Sequence, residues 1–356
     1  MIEQDHLQVY TLTLTARGLV HIGNGQKTPR KEYIFDPNRN MVSFLNEQAF
    51  FELLIQENLV DLFESFCMSR DGDLYSFLYR TCRLKPEQVE PAVMYQLSVG
   101  DALDENHSLR DINRFMQDAQ GRAYVPGSSV KGALRTALLY RLISRENPAA
   151  RQPNLREIPE AQYLHTLQLQ PMRPADAVNS LMRGLLVSDS EPIPHQSLVL
   201  SRKLDGFLSG QLHPIPLCRE CMAPGSILRF RLTLDQSILK GQITAQTLLE
   251  AISAFAAYNR QQLESAFARP DGFIAPKTEN MLYLGGGAGF FTKTLVYPYV
   301  GRQNGVKWAS GQLAKTFRTH HHDERDPQAG ISPRTLKYGQ YRQKPYAFGP
   351  CEVSLT

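Results

Sequence analysis

Hydrophobic and polar residues alternate in two segments of the chain. Residues 7–16 (LQVYTLTLTA), rich in Thr, Val and Tyr and with Leu12 and Leu14 set between threonines, read as a strand. In 227–235 (ILRFRLTLD), Leu228, Phe230, Leu232 and Leu234 alternate with Arg229, Arg231, Thr233 and Asp235, predicting a second such strand. Residues 31–36 and 41–45 read as short strands around a turn at 37–40, and a further turn is expected at Gly23-Asn24-Gly25. The period then changes. Phe50, Leu53, Leu54, Leu62, Phe63 and Phe66 predict a helix over 47–66 with Asn46 as its N-cap. Helices are also expected near 72–82, from Ser128-Ser129 through Leu142, and over 245–268, with a hairpin around 119–122. Strands are expected near 93–99, 184–188 and 281–284, and the seven prolines between 146 and 194 predict loops.

Strands and helices mix in each half without regular βαβα alternation. This points to an α+β fold of two small sheet-and-helix modules rather than a Rossmann domain. A chain of 356 residues, 42% of them hydrophobic, has the length and apolar content for two domains. The boundary is placed at 210/211, giving an N-terminal module (1–210) with a helical insertion and a C-terminal module (211–356) with a glycine-rich loop. No stretch reaches the ~18 apolar residues of a membrane span, and the first ten residues lack the pattern of a secretory signal. Five scattered cysteines do not make a disulfide framework. A soluble, cytoplasmic protein is expected.

Charge is unevenly distributed. Residues 293–344 carry ten Lys/Arg against three acids, a local +7 within a chain of net +4. A second basic window, 126–156, holds Lys131, Arg135, Arg141, Arg145, Arg151 and Arg156 against Glu146. Either block alone reads as solvated surface; two of them beside glycine-containing turns point to a polyanion.

Two strings carry the candidate chemistry. In PGSSVKGALR (126–135) a Gly-Ser-Ser turn opens a helix whose free N–H groups suit a phosphate. Lys131 and Arg135, four apart, share a face that would meet successive phosphates; the plain reading is a capped helix with two solvated cations. In GGGAGFFTKT (285–294), four glycines permit close backbone approach, and Phe290 and Phe291 beside Lys293 suit single-stranded RNA. Neither string has the order of a Walker P-loop. His320-His321-His322-Asp323 has no second ligand cluster, and the lone Cys218-x-x-Cys221 reads as a tight turn. Asp189 and Glu191 read as a strand-end turn. No metal, cofactor or nucleophile constellation is expected.

Taken together, these strings resemble the RAMP proteins of type III CRISPR systems, and most closely the fifth-subunit group of the Csm (type III-A) effectors. The resemblance rests on VHIGNG (20–25), KEYIF (31–35), residues 124–135, VSDS (187–190), residues 285–294 and ISPRTLK (331–337). It implies two ferredoxin-like (RRM-like) modules with insertions. It also implies a non-catalytic RNA-binding subunit that caps the 3′ end of the CRISPR RNA and is needed for maturation of that end in antiviral defence. Implied partners are the crRNA, other Csm-type subunits, especially the backbone RAMP subunit, and a recruited trimming nuclease. Implied RNA contacts are Ser128, Ser129, Lys131, Arg135, Gly285, Gly286, Gly287, Gly289, Lys293, Arg334 and Lys337.

Three other readings remain open at this level. One is another RAMP backbone subunit of a type III effector. The second is a metal-independent endoribonuclease using His21 or one of His320, His321 and His322 as base, with Lys293 or Lys131 stabilising the phosphorane. The third is a protein-only scaffold.

Overall fold

The computed structural model describes residues 6–105, 107–146 and 158–356. Its strands form three sheets, and helices complete a mixed α+β fold as expected.

The first sheet has five strands in the order Met281–Tyr283, Pro350–Leu355, Leu7–Ala16, Ile227–Asp235 and Leu185–Val187, all antiparallel. Its centre pairs the two alternating segments singled out above, with Leu12 opposite Phe230 and Leu14 opposite Leu228. These four side chains are at most 3% exposed, so one face is removed from water along both strands. Helices Gly127–Ile143 and Ala245–Tyr258 belong to the same core cluster and meet through Tyr140, whose ring lies 5.3 Å from Phe255 and 5.2 Å from Tyr258.

The second sheet has six strands in the order Lys344–Ala347, Thr335–Tyr341, Leu198–Phe207, Leu212–Met222, Ile112–Phe115 and Gly23–Thr28. Only Ile112–Phe115 with Leu212–Met222 is parallel among these pairs. Beneath it on one side lies a buried carboxylate: Glu220 accepts from Tyr95 Oη and from Phe115 N, and faces Arg114 at 3.3 Å. A three-stranded sheet, Tyr33–Asp36, Met41–Leu45 and Val93–Ser98, carries the helical insertion between its last two strands.

The expected boundary at 210/211 falls in the turn of the Leu198–Phe207/Leu212–Met222 hairpin. Both larger sheets draw strands from either side of it, so the two halves of the chain do not fold as separate sheets. Other expectations also shift. The 47–66 helix is capped by Asn46 as expected, its Oδ1 accepting from Ala49 N at 3.0 Å, but it divides into Glu47–Gln56 and Val60–Met68. Asn58, at φ +54, turns the chain between them. The segment 23–25 is not a turn but the start of a strand, and Cys218 and Cys221 lie within a strand rather than in a tight turn. Both thiols are buried, which pushes Cys218 up to about 12 and raises Cys221 well above the usual thiol range.

Candidate nucleic-acid interface

The glycine-rich segment 285–289 follows the edge strand Met281–Tyr283 and lies back over the six-stranded sheet. Gly286 N donates to His21 O at 2.7 Å, and a side chain on Gly285 would strike that same carbonyl. Gly285, Gly287 and Gly289 have φ values of +78, +89 and +91, the left-handed region that glycine enters without steric cost. Among the described residues, the N–H groups of Gly287, Ala288 and Gly289 find no acceptor. Successive free N–H groups on such a backbone form an anion-binding concavity.

Cations line it. Arg219 lies under the loop, and a methyl on Gly287 would sit 2.3 Å from its Nη1. Nε and Nη1 of Arg219 are buried with no hydrogen-bond partner. Lys293 folds back to donate to Gly285 O at 2.7 Å. Lys337 lies beside Gly289, and Lys203 and Lys337 share one carboxylate oxygen of Asp205, at 3.4 and 2.9 Å. The register explains this convergence: Arg219 pairs with Ser201, Gly339 with Lys203 and Lys337 with Asp205, placing all of them on one sheet face. Burial, and then Arg219, holds the Lys293 ammonium below the usual lysine range. Burial also lowers Lys337 against the opposing pull of Asp205, and lowers Arg219. A bound phosphate would favour the charged form of each and offset that burial.

His21 borders the cluster. Its Nδ1 lies 2.7 Å from Glu220 O, so the ring donates there, and burial lowers its pKa to about 4. It is neutral at pH 7.

The expected contacts therefore divide. Gly285, Gly286, Gly287, Gly289, Lys293 and Lys337 are brought together. The helix Gly127–Ile143 stands apart from them: no hydrogen bond or ion pair among the described residues joins it to the loop. Its N-cap is Pro126 rather than a serine, and Asp189 Oδ1 accepts from Gly127 N at 2.8 Å. A carboxylate thus occupies part of the helix end expected to greet a phosphate. No turn forms at 188–191, where one was expected, and a side chain on Gly127 would collide with Val187 O and Ser188 O. Ser128 and Ser129 lie in the first helical turn, Ser128 exposed. Lys131 has no hydrogen-bond partner among the described residues and is lowered by burial, whereas Arg135 is held by Glu160 through two N–H groups. Arg151 and Arg156 lie outside the described residues.

Arg334 is bound elsewhere. Its Nε donates to Oδ1 of the fully buried Asp326 at 2.5 Å, while Ser332 Oγ and His322 Nδ1 take Oδ2 at 2.6 and 2.9 Å. This network anchors 331–334 beneath helix His322–Ala329. Sequence reasoning missed Arg219 and Lys203. Arg219 sits between the two cysteines considered for metal, and only the strand alternation of 217–222 could have aimed it away from the core. Among the described residues no three His, Cys, Asp or Glu side chains gather as metal ligands. None of the helices there is long and apolar enough to cross a membrane.

The comparison that decides the family is a match of the RAMP superfamily model to residues 13–315. The chain belongs to the RAMP superfamily. It is similar to the CRISPR system Cms protein Csm5 of Mycobacterium tuberculosis (strain CDC 1551 / Oshkosh), 27% identical over 381 aligned positions that cover 98% of both chains. It is also 27% identical to Csm5 of Streptococcus thermophilus, covering 82% of this chain and 81% of that one. Among solved structures, a chain of a type III-A Csm–crRNA–target RNA ternary complex superposes with a TM-score of 0.67 at 18% identity, covering 97% of this RAMP chain and all of that one. The crystal structure of T. onnurineus Csm5 superposes with a TM-score of 0.58 at 18% identity, covering 96% and 99%. The resemblance to Csm5 drawn from the motifs stands.

Proposed function

We propose that this RAMP protein is the Csm5-type subunit of a type III-A CRISPR effector, a non-catalytic RNA-binding subunit seated at the 3′ end of the crRNA and required for maturation of that end. Its partners are the crRNA, the backbone RAMP subunit and other Csm subunits, with trimming carried out by a separate nuclease in the cytoplasm. The observation that carries the reading is Arg219, a half-buried guanidinium with two unpartnered nitrogens, under a loop with three backbone N–H groups that find no acceptor among the described residues. A phosphodiester satisfies both sets at once. Relatives that match along most of their length support the subunit assignment. We also read the five-stranded sheet as a ferredoxin-like module, supported by the order Pro350–Leu355, Leu7–Ala16, Ile227–Asp235, Leu185–Val187 within it and by the helices Gly127–Ile143 and Ala245–Tyr258 of the same core.

The test is RNA binding as a function of salt. Each single-strand phosphate contact contributes about 0.7 to the slope of log K against log salt. Replacing Arg219 and Lys293 by Ala together flattens that slope by roughly 1.4; an unchanged slope rejects the loop as the RNA site. Reconstituted effector containing the double variant carries crRNA with untrimmed 3′ ends, whereas trimmed ends would separate this subunit from maturation.

One observation favours a second reading, the metal-independent ribonuclease. The His21 imidazole borders the cation cluster beside Gly286, where a general base would stand. RNA cleavage in EDTA that vanishes in His21→Ala would establish it.

A further inference from the structure

Behind the glycine loop lies a cavity of about 380 Å³, within the range of small-molecule sites. Its walls are aromatic. Phe273 and Tyr338 meet edge to face at 5.4 Å and 87°, and Phe290, next to the loop, and Tyr283 add further rings. Two of its lining residues, Gly289 and Lys337, belong to the phosphate cluster itself. A strand held by its phosphates on the loop therefore passes within one residue's reach of the cavity mouth.

The polar end is equally specific. Among the described residues Glu264 is the only acid lining the cavity, and it lies 3.5 Å from the Tyr283 hydroxyl, with Arg260 and Arg269 beside it. Burial raises the Glu264 carboxyl above the usual range even though both arginines pull it down. A carboxyl group in such a place gains from a hydrogen-bonding partner that also fills the apolar space.

We propose that this cavity is a nucleobase pocket that takes one unstacked base of the single-stranded RNA crossing the loop, stacked on Phe273 with Tyr338 meeting it edge-on, and with Glu264 accepting from an exocyclic amino group. The proposal rests on the RNA-binding reading above. Single-stranded RNA is recognised by splaying out individual bases, stacking them on aromatic rings and bonding their edges. Carboxylates accept from base amino groups in such pairings.

The experiment scans 2-aminopurine, one position at a time, through an otherwise uniform single-stranded RNA bound to the full chain. One position gives a fluorescence change that its neighbours lack. Phe273→Ala and Ala275→Phe, the second of which fills the cavity without removing a contact, both abolish it. Phe273→Ala weakens binding about 5- to 150-fold, the equivalent of one lost base stack, while the salt slope and melting temperature are retained. An Arg219-dependent salt slope with no distinctive position, or a distinctive position that survives both variants, overturns the pocket and leaves the RNA-binding reading standing. Failure of the wild-type chain to bind RNA overturns both.

Discussion

Gly287 and Arg219 are locked together: the α-hydrogen of one is all that separates the loop backbone from the guanidinium of the other, since a methyl there would come within 2.3 Å of Nη1. With φ at +89, position 287 also resists any side chain. Gly287→Ala should cost about 1–2 kcal/mol of stability for the left-handed backbone. It should also push Arg219 away and flatten the RNA salt slope by roughly 0.7. Thermal unfolding and a salt titration check the two parts separately; full RNA affinity at unchanged slope would detach Arg219 from the RNA.

The helix Gly127–Ile143 gives a different expectation. Its sequence alone predicts that Lys131 and Arg135 each hold a phosphate. Arg135 is already paired with Glu160, so Arg135→Ala should leave the salt slope unchanged and cost about 0.2–1 kcal/mol, as exposed ion pairs do. Lys131→Ala should lower the slope by at most about 0.7. A slope change of that size in Arg135→Ala would show that RNA displaces Glu160.

Asp326 is fully buried and accepts from Arg334, Ser332 and His322. Asp326→Ala should therefore destabilise the protein by about 3 kcal/mol, the cost of breaking a buried charge pair. Arg334→Ala should lower the melting temperature while leaving the RNA salt slope intact. A slope change with no loss of stability would return Arg334 to the interface.

His21 sets a pH dependence. Its pKa is about 4 in the fold, against 6.5 in the unfolded chain. Between those values the unfolded state binds more protons, so stability falls as the pH drops from 6.5 to 4 and this contribution is constant below. The full effect is about 3 kcal/mol. His21→Asn keeps a donor for Glu220 O but does not titrate; the difference between wild type and variant in urea unfolding should grow across that window. A pH-independent difference would show that His21 is not buried in the neutral form.

Much of this was legible in the sequence. The strands 7–16 and 227–235, the cap at Asn46, the helix after Pro126 and the glycine loop all lie where local period, capping chemistry and glycine placement put them, because those signals act within a few residues. The motif resemblance correctly led to the RAMP superfamily and to Csm5.

Pairing was not legible. Strand order depends on which apolar faces meet across hundreds of residues, as in the sheet that joins Leu7–Ala16 to Ile227–Asp235 and Pro350–Leu355. The same long-range register brought Lys203, Arg219 and Lys337 to one face and carried Arg334 to a buried aspartate. The sequence by itself determined the elements, the glycine loop and the abundance of cations around it. Only the tertiary structure decided which cations stay uncompensated, because a cation's value to a phosphate depends on the neighbours that have already neutralised it, and those neighbours are distant in the chain.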